Sequence, residues 1–296
     1  MYTLKAWVKE WLDTYKRVLI KPSTYDSYVQ YSTHITCEKE LTELTSIDIQ
    51  HMINAMVIER KSYSTIKHML TLCRQSLRKA RALGLIKELT CMDNLELPRS
   101  CARAVESLST ADADSILSHM SESAYGDFFA ALLLTGCRVG ELIALRWQDV
   151  SFFAGMIYIE HTDYHGELQR CKTASGARQL PMTAQLRQIL MRRSRAGKGE
   201  RVFLNRYGKP IKYRSLLDCW HWYTKRCGIQ RCGLHVLRHT FAHRALRTGI
   251  PVRVVSAWLG HASVTITLGI YDTVTRDDMT AAADTLTELF SAKKRA

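Results

Sequence analysis

No part of this 296-residue chain is apolar for long: the longest unbroken run is Phe128 to Leu134, far short of the roughly 20 residues that a membrane-spanning helix needs. The opening stretch, MYTLKAWVKEWLDTYK, interleaves charges with aromatics and has no apolar region of the signal-peptide kind. Cysteines occur at 37, 73, 91, 101, 137, 171, 219, 227 and 232, an odd number with no CxxC pair and no regular spacing. That pattern argues against a disulfide framework or a zinc site and for free thiols in a reducing compartment. Low-complexity tracts are missing, as is any internal repeat of solenoid type. These absences predict a cytoplasmic protein without a membrane segment. Its composition, 46% apolar and 24% charged, is that of a chain that folds, and its length suits two domains without a covalent or metal staple.

Acidic residues are also in short supply. Lys and Arg number 42 against 28 Asp and Glu, a formal charge of +14. The surplus is uneven: 15 basic and 11 acidic side chains lie in residues 1–100, and 27 and 17 in the remainder. Between Arg187 and Arg214, ten Lys or Arg face the single acid Glu200. A surplus of this kind favours a polyanionic partner, most commonly nucleic acid.

The apolar pattern divides the chain. In the first part, Leu4, Trp7, Val8, Trp11, Leu12 and Tyr15 recur at helical spacing. A second helix follows the IKPST turn with Ser23 or Thr24 as N-cap, a third is capped near Thr45 or Ser46, and a fourth ends at Gly84 with Arg78, Lys79 and Arg81 in its last turns. Around Pro98 the period is lost, which sets a linker at 96–103 between a helical domain, 1–95, and a second domain, 104–296. In the second domain a buried helix breaks at Gly136 and another starts near Val139. The segments MIYIEHTDY and ARQLPM read as strands, and helices resume from Thr183. The expected fold is mainly α (α+β), with a small antiparallel sheet in a mostly helical second domain.

Three features carry chemistry. His235, His239 and His243 stand four apart in GLHVLRHTFAHRAL, a spacing that can hold zinc, although the glutamate of HExxH is missing and Arg238 brings a fixed positive charge into the same turn. His235 and Arg238 share a helix face, where a guanidinium fits phosphate oxygens and an imidazole can move a proton near neutral pH. Arg138 follows an apolar helix and a glycine turn, with Glu141 three residues on. Glu141 either holds Arg138 in place or acts as an acid in the first turn of a helix.

Together TGCRVGELIALRW, CKTASGARQLPM, LHVLRHTFAHRAL and WLGHASVTITLGIY, in this order and at these separations, resemble the signatures of the tyrosine recombinase (phage integrase) family in its short two-domain form. The resemblance implies that 1–95 is a core-binding (SAM-like) helical DNA-binding domain and 104–296 the catalytic domain. It places the first catalytic arginine at Arg138 with Glu141 as supporting acid. The β-hairpin lysine falls on Lys172, the histidine and second arginine on His235 and Arg238, a further histidine on His261 and the nucleophile on Tyr271. One departure is Val236, where many relatives have aspartate.

The implied chemistry is consistent from below. A covalent 3′-phosphotyrosine keeps the energy of the broken bond, so rejoining needs no ATP. A tyrosine, with an ordinary pKa near ~10, needs a proton acceptor and a cationic surround to attack at neutral pH. Arg138 and Arg238 would stabilise the non-bridging oxygens, Lys172 would protonate the departing 5′-oxygen, His235 would assist at the tyrosine and His261 would hydrogen-bond the phosphate. No metal or other cofactor is called for.

The implied activity is site-specific integration, excision or resolution of a DNA element, by a recombinase of the Xer kind or a short integrase of a mobile element, performed in the cytoplasm on the nucleoid. The implied partners are double-stranded recombination sites, three further copies in a homotetramer, and accessory DNA-bending or directionality proteins. An amphipathic segment after Tyr271, DDMTAAADTLTELF, would dock on a neighbouring subunit. Alternatives are a DNA-binding regulator that kept the fold and a type IB topoisomerase-like enzyme.

Overall fold

The computed structural model describes residues 2–99, 107–118, 124–171, 176–196, 199–230 and 232–268. The chain forms two compact units, Met1–Arg103 and Ala104–Ala296. Among the described residues, none of the helices is long and apolar enough to cross a membrane.

The first unit is built from α1 (Leu4–Trp11), α2 (Pro22–Ser32), α3 (Ser46–Ile58) and α4 (Tyr63–Ala82). Thr3 caps α1 by accepting from the Ala6 amide, and Leu4, Trp7, Val8 and Trp11 are buried as their spacing predicts. The helix then widens into a π turn over Leu12–Lys16, which keeps Leu12 in the core and leaves Tyr15 packed at its edge. Ile49 and Ile53 of α3 and Ile66, Met69, Cys73 and Leu77 of α4 complete that core.

The start of α2 differs from the expected cap. Lys21 is the N-cap and Pro22 takes the first helical position, so Ser23 and Thr24 fall inside the first turn. Proline already has helical φ and lacks the N–H that the first turn would leave unpaired. At α3 the Thr45 cap holds: both the Thr45 amide and its hydroxyl donate to Asp48.

The second unit contains α5 (Thr110–Ser118), α6 (Gly126–Thr135) and α7 (Val139–Ala144), then strands β1 (Val150–Ser151), β2 (Met156–Ile159), β3 (His161–Tyr164), β4 (Glu167–Arg170) and β5 (Arg178–Pro181). Helices α8 (Ala184–Ala196), α9 (Tyr213–Arg226), α10 (His235–Arg247), α11 (Val252–Leu259) and α12 (Val264–Leu268) follow. Its core is aromatic at the centre, with Phe128, Phe129, Phe203, Trp220 and Tyr223 fully buried.

Gly136 ends α6 in the left-handed region, at φ 64°. A Cβ there would lie 2.4 Å from Phe241 and 2.8 Å from Leu259, so conformation and close packing both demand glycine.

The strands make two antiparallel sheets, one ordered β1-β2-β5 and the other the β3-β4 hairpin. The MIYIEHTDY segment is therefore two strands that divide at Glu160. Ile157 and Ile159 point alternately into the core, whereas all four residues of β3 are half-buried against α7. Gly140 of α7 permits that approach, because a Cβ on it would meet the Thr162 hydroxyl at 2.6 Å. The register jumps at the same place: Ile159 pairs with Arg178 and His161 with Arg170, so one residue separates partners that are eight apart in the chain. Lys172 belongs to that interval and lies outside the described residues, as do Tyr271 and the DDMTAAADTLTELF segment.

Candidate active site

Helix α11 ends at Leu259, with Gly260 as a left-handed cap. The last carbonyls of a helix have no intrahelical partner and carry the negative end of its dipole. Here each of three successive carbonyls accepts from a different arginine. The Trp258 oxygen takes Arg178 Nε, the Leu259 oxygen takes Arg238 Nη2 at 2.7 Å, and the Gly260 oxygen takes Arg138 Nη2 at 3.5 Å. Arg238 also donates Nη1 to the Gly136 oxygen at 2.9 Å, which ties α10 to the end of α6. The glycine break read from the sequence thus supplies both the turn before Arg138 and an acceptor for Arg238.

One carboxylate serves this cluster. Glu141 Oε2 accepts from the Arg138 amide and Oε1 from Arg138 Nη1, each at 2.8 Å. Both readings of Glu141 are realised, since it caps α7 and holds the guanidinium. The same two oxygens take Arg178 Nη2 at 2.8 Å and Nη1 at 3.1 Å. Burial alone would raise the Glu141 pKa, but the hydrogen bond and charge of Arg178, followed by those of Arg138, bring it below the usual carboxylate value. Among the described residues, three guanidiniums against one carboxylate leave two positive charges over. Arg238 is 3% exposed and, among the described residues, donates to carbonyls and to no carboxylate. Burial, and then Arg138, pushes its pKa down to about 10. An uncompensated buried guanidinium works against folding, so its place here points to an anionic ligand.

Two histidines flank the arginines. His261 sits after the α11 cap, with Nδ1 2.8 Å from the hydroxyl of Thr267, a fully buried residue of α12. Burial and the charges of Arg238, Arg138 and Arg178 push its pKa down to about 4. His235 begins α10 one turn before Arg238, its ring 4.7 Å edge-on from that of His239. Desolvation, then the charges of His239, Arg238 and Arg138, depress it to about 4 as well. Both imidazoles are neutral at pH 7 and able to accept a proton or a hydrogen bond.

Of the site residues expected from sequence, the structure gathers Arg138, Glu141, Arg238 and His261 around the end of α11, with His235 beside them. Lys172 and Tyr271 lie outside the described residues; Cys171 and Leu268 are the nearest described positions before them. The histidine trio of α10 makes no metal centre, for among the described residues no group of three His, Cys, Asp or Glu is placed to hold an ion. Val236 is buried in the core, and α10 starts without a side-chain cap.

Two residues escaped the sequence reading. Arg178 stands inside the CKTASGARQLPM motif, where a charged residue opening a strand was the available signal. Thr267 gave none. The basic stretch from Arg187 to Arg214 is also partly structural: Arg192 and Arg193 pair with Asp127, Arg201 with Asp163 and Arg214 with Asp218.

Known proteins resemble the chain in sequence and fold. The "Tyrosine recombinase XerC-like" protein of Caldanaerobacter subterraneus subsp. tengcongensis is 25% identical over 97% of this chain and 83% of its own. The Tn1549 transposon integrase in complex with a circular intermediate DNA superposes with a TM-score of 0.83 at 20% identity, over 97% of this chain and 100% of that one. A lambda integrase tetramer bound to a Holliday junction gives a TM-score of 0.76 at 20% identity, over 90% and 77%. The model of the Phage integrase family matches residues 106–277, more than half of the sequence and all of the arginine cluster, and on that match the chain belongs to the phage integrase family, the tyrosine recombinases.

Proposed function

We propose that the chain cuts and rejoins duplex DNA at specific sites, with Tyr271 as the nucleophile. The tyrosine oxygen attacks the scissile phosphorus, a 3′-phosphotyrosine forms and the 5′-oxygen leaves; attack by a 5′-hydroxyl reverses the step. Arg138 and Arg238 hold the non-bridging oxygens, and the charge they carry grows in value as the transition state gains negative charge. His235, neutral, takes up the tyrosine proton, His261 donates to the phosphate, Lys172 protonates the leaving oxygen and Glu141 fixes Arg138. The first unit acts as the core-binding domain. By analogy with the lambda integrase tetramer on a Holliday junction, four copies act together on two DNA sites.

The observation that carries this reading is the surplus of two positive charges around the end of α11, with His261 tethered to the helix that precedes Tyr271 in the chain. The test is a suicide substrate nicked beside the cleavage position of the cognate junction. Wild type is expected to form a covalent protein–DNA adduct on a denaturing gel, and Tyr271→Phe none. Binding of the cognate junction without an adduct would instead make the protein a DNA-binding regulator.

A further inference from the structure

Arg178 has no part in the chemistry just described, yet it makes five donations within the site. Besides the two bonds to Glu141, it reaches the carbonyls of Trp258 and Gly176 and the Cys137 thiol. Its side chain is 5% exposed and that of Glu141 3%, while that of Arg138 is 44% exposed. Glu141 is therefore shared unequally: its deep partner is Arg178, and its shallow partner is the arginine proposed to meet DNA. A charge pair away from water interacts more strongly than one at the surface. If Arg138 were the only counterion of Glu141, the carboxylate would cancel its charge and hold it inward. With Arg178 present, the buried pair is neutral in itself and the half-exposed Arg138 keeps its charge.

The second bond set has a positional consequence. Arg178 Nε fixes the Trp258 oxygen, two residues before the Gly260 cap and three before His261. Because Arg178 opens β5, it joins the strand six residues after Lys172 to the turn that carries His261. A planar fork with donors on both edges can bind a carboxylate and a carbonyl at once, which an ammonium cannot do with the same geometry.

We infer that Arg178 is a positioning residue for strand cleavage: it takes up the charge of Glu141 so that Arg138 keeps its own for the phosphate, and it locks the His261 turn in place. The inference rests on the recombinase chemistry proposed above. It calls for single-turnover adduct formation on the nicked substrate at saturating DNA, with DNA affinity and thermal melting measured on the same full-length variants. Arg178→Met is expected to slow adduct formation by about a hundredfold while affinity changes by less than about threefold, a loss in the chemical step and not in binding. Arg178→Lys should fall between Met and wild type. The double variant Glu141→Gln/Arg178→Met, with neither charge left in the buried pair, should regain about tenfold over Arg178→Met because Arg138 is released.

The inference is overturned if Arg178→Lys cleaves at the wild-type rate, if the double variant is no faster than Arg178→Met, or if the loss is one of affinity that more DNA repairs. Should Arg178→Met fail to fold, the lysine variant decides alone. A wild type that binds its cognate nicked site but forms no adduct would instead remove the recombinase reading itself, a result separable from any behaviour of the Arg178 variants.

Discussion

Among the described residues the first unit buries one polar side chain, Ser76, and the second buries eight, including Glu141, Asp149 and Arg238. Ion pairs follow the same division. In the first unit Lys5 and Glu38 meet at 2.8 Å with both side chains more than half exposed, whereas in the second Arg178 and Glu141 meet at the same distance almost out of solvent. Surface pairs contribute little to stability, and buried ones carry a desolvation cost that close geometry barely offsets. The first unit is thus held by an ordinary apolar core. The second keeps expensive charge inside, around the end of α11. Consistency of pattern and packing is expected of a scaffold, and local violation is expected of a site.

The contrast breaks most visibly at Glu141. Replacing it with methionine leaves Arg178 buried without a counterion, which is expected to destabilise the second unit by about 3–5 kcal/mol. Hydrogen exchange resolved by peptide should show α7 and β5 losing protection while α1 and α4 keep theirs. Equal loss in both units would mean that the buried pair is not confined in its effect to the second.

Arg238→Met sharpens the same point from the opposite side. Among the described residues Arg238 has no carboxylate of its own, so removing it relieves a desolvation cost and gives up two carbonyl bonds. The two effects oppose each other, and the net change in stability should stay below about 2 kcal/mol. Adduct formation, by contrast, should fall by about 10²–10³. A methionine variant that unfolds as readily as Glu141→Met, or that cleaves at the wild-type rate, would contradict the assignment of Arg238 to the ligand.

How much of this was legible in advance depends on the kind of signal. Periodicity found the face of α1, because burial of Leu4, Trp7, Val8 and Trp11 is a property of the helix itself. The break at Gly136 was visible because glycine is required by local conformation. The N-cap of α2 was misplaced because two hydroxyl residues outweighed the adjacent Pro22. The division of MIYIEHTDY at Glu160 could not be read, since it depends on which neighbour each half meets: β5 for one and α7 for the other. Arg178 was missed for the same reason. Its partners Glu141 and Trp258 lie 37 and 80 residues away in the chain, and the one local signal, a charge opening a strand, does not name them.

Acid should separate the two units. His235 and His261 both have folded pKa values pressed down to about 4 from an ordinary 6.5. Between those values the unfolded chain binds protons that the folded chain does not, so stability falls as the pH drops through that window and levels off below it. Above pH 7 the two histidines contribute no slope. Protection of α10 and α11 should therefore decline between pH 6.5 and 4, and His261→Gln should flatten the decline. A slope unchanged in that variant would show that the histidine is not the group responsible.

The first unit has its own, smaller acid dependence, and it lies lower. Asp48 is held at about 2, below its ordinary 3.8, first by the Thr45 hydroxyl and then, against the opposing effect of burial, by the Thr45 amide and Lys39. A carboxylate with a lowered folded pKa stabilises the fold above its unfolded value and loses that contribution as the pH falls through the folded one. Asp48→Asn should cost about 1 kcal/mol at pH 7, the usual worth of such a cap, seen as weaker protection at the start of α3. Because protonation removes the same interaction from the wild type, the two proteins should converge as the pH approaches 2. The variant should leave α10 and α11 unaffected between pH 6.5 and 4, where the histidines act; a change there would mean that the cap of α3 and the arginine cluster are energetically coupled, and that the division between scaffold and site is less sharp than their burial suggests.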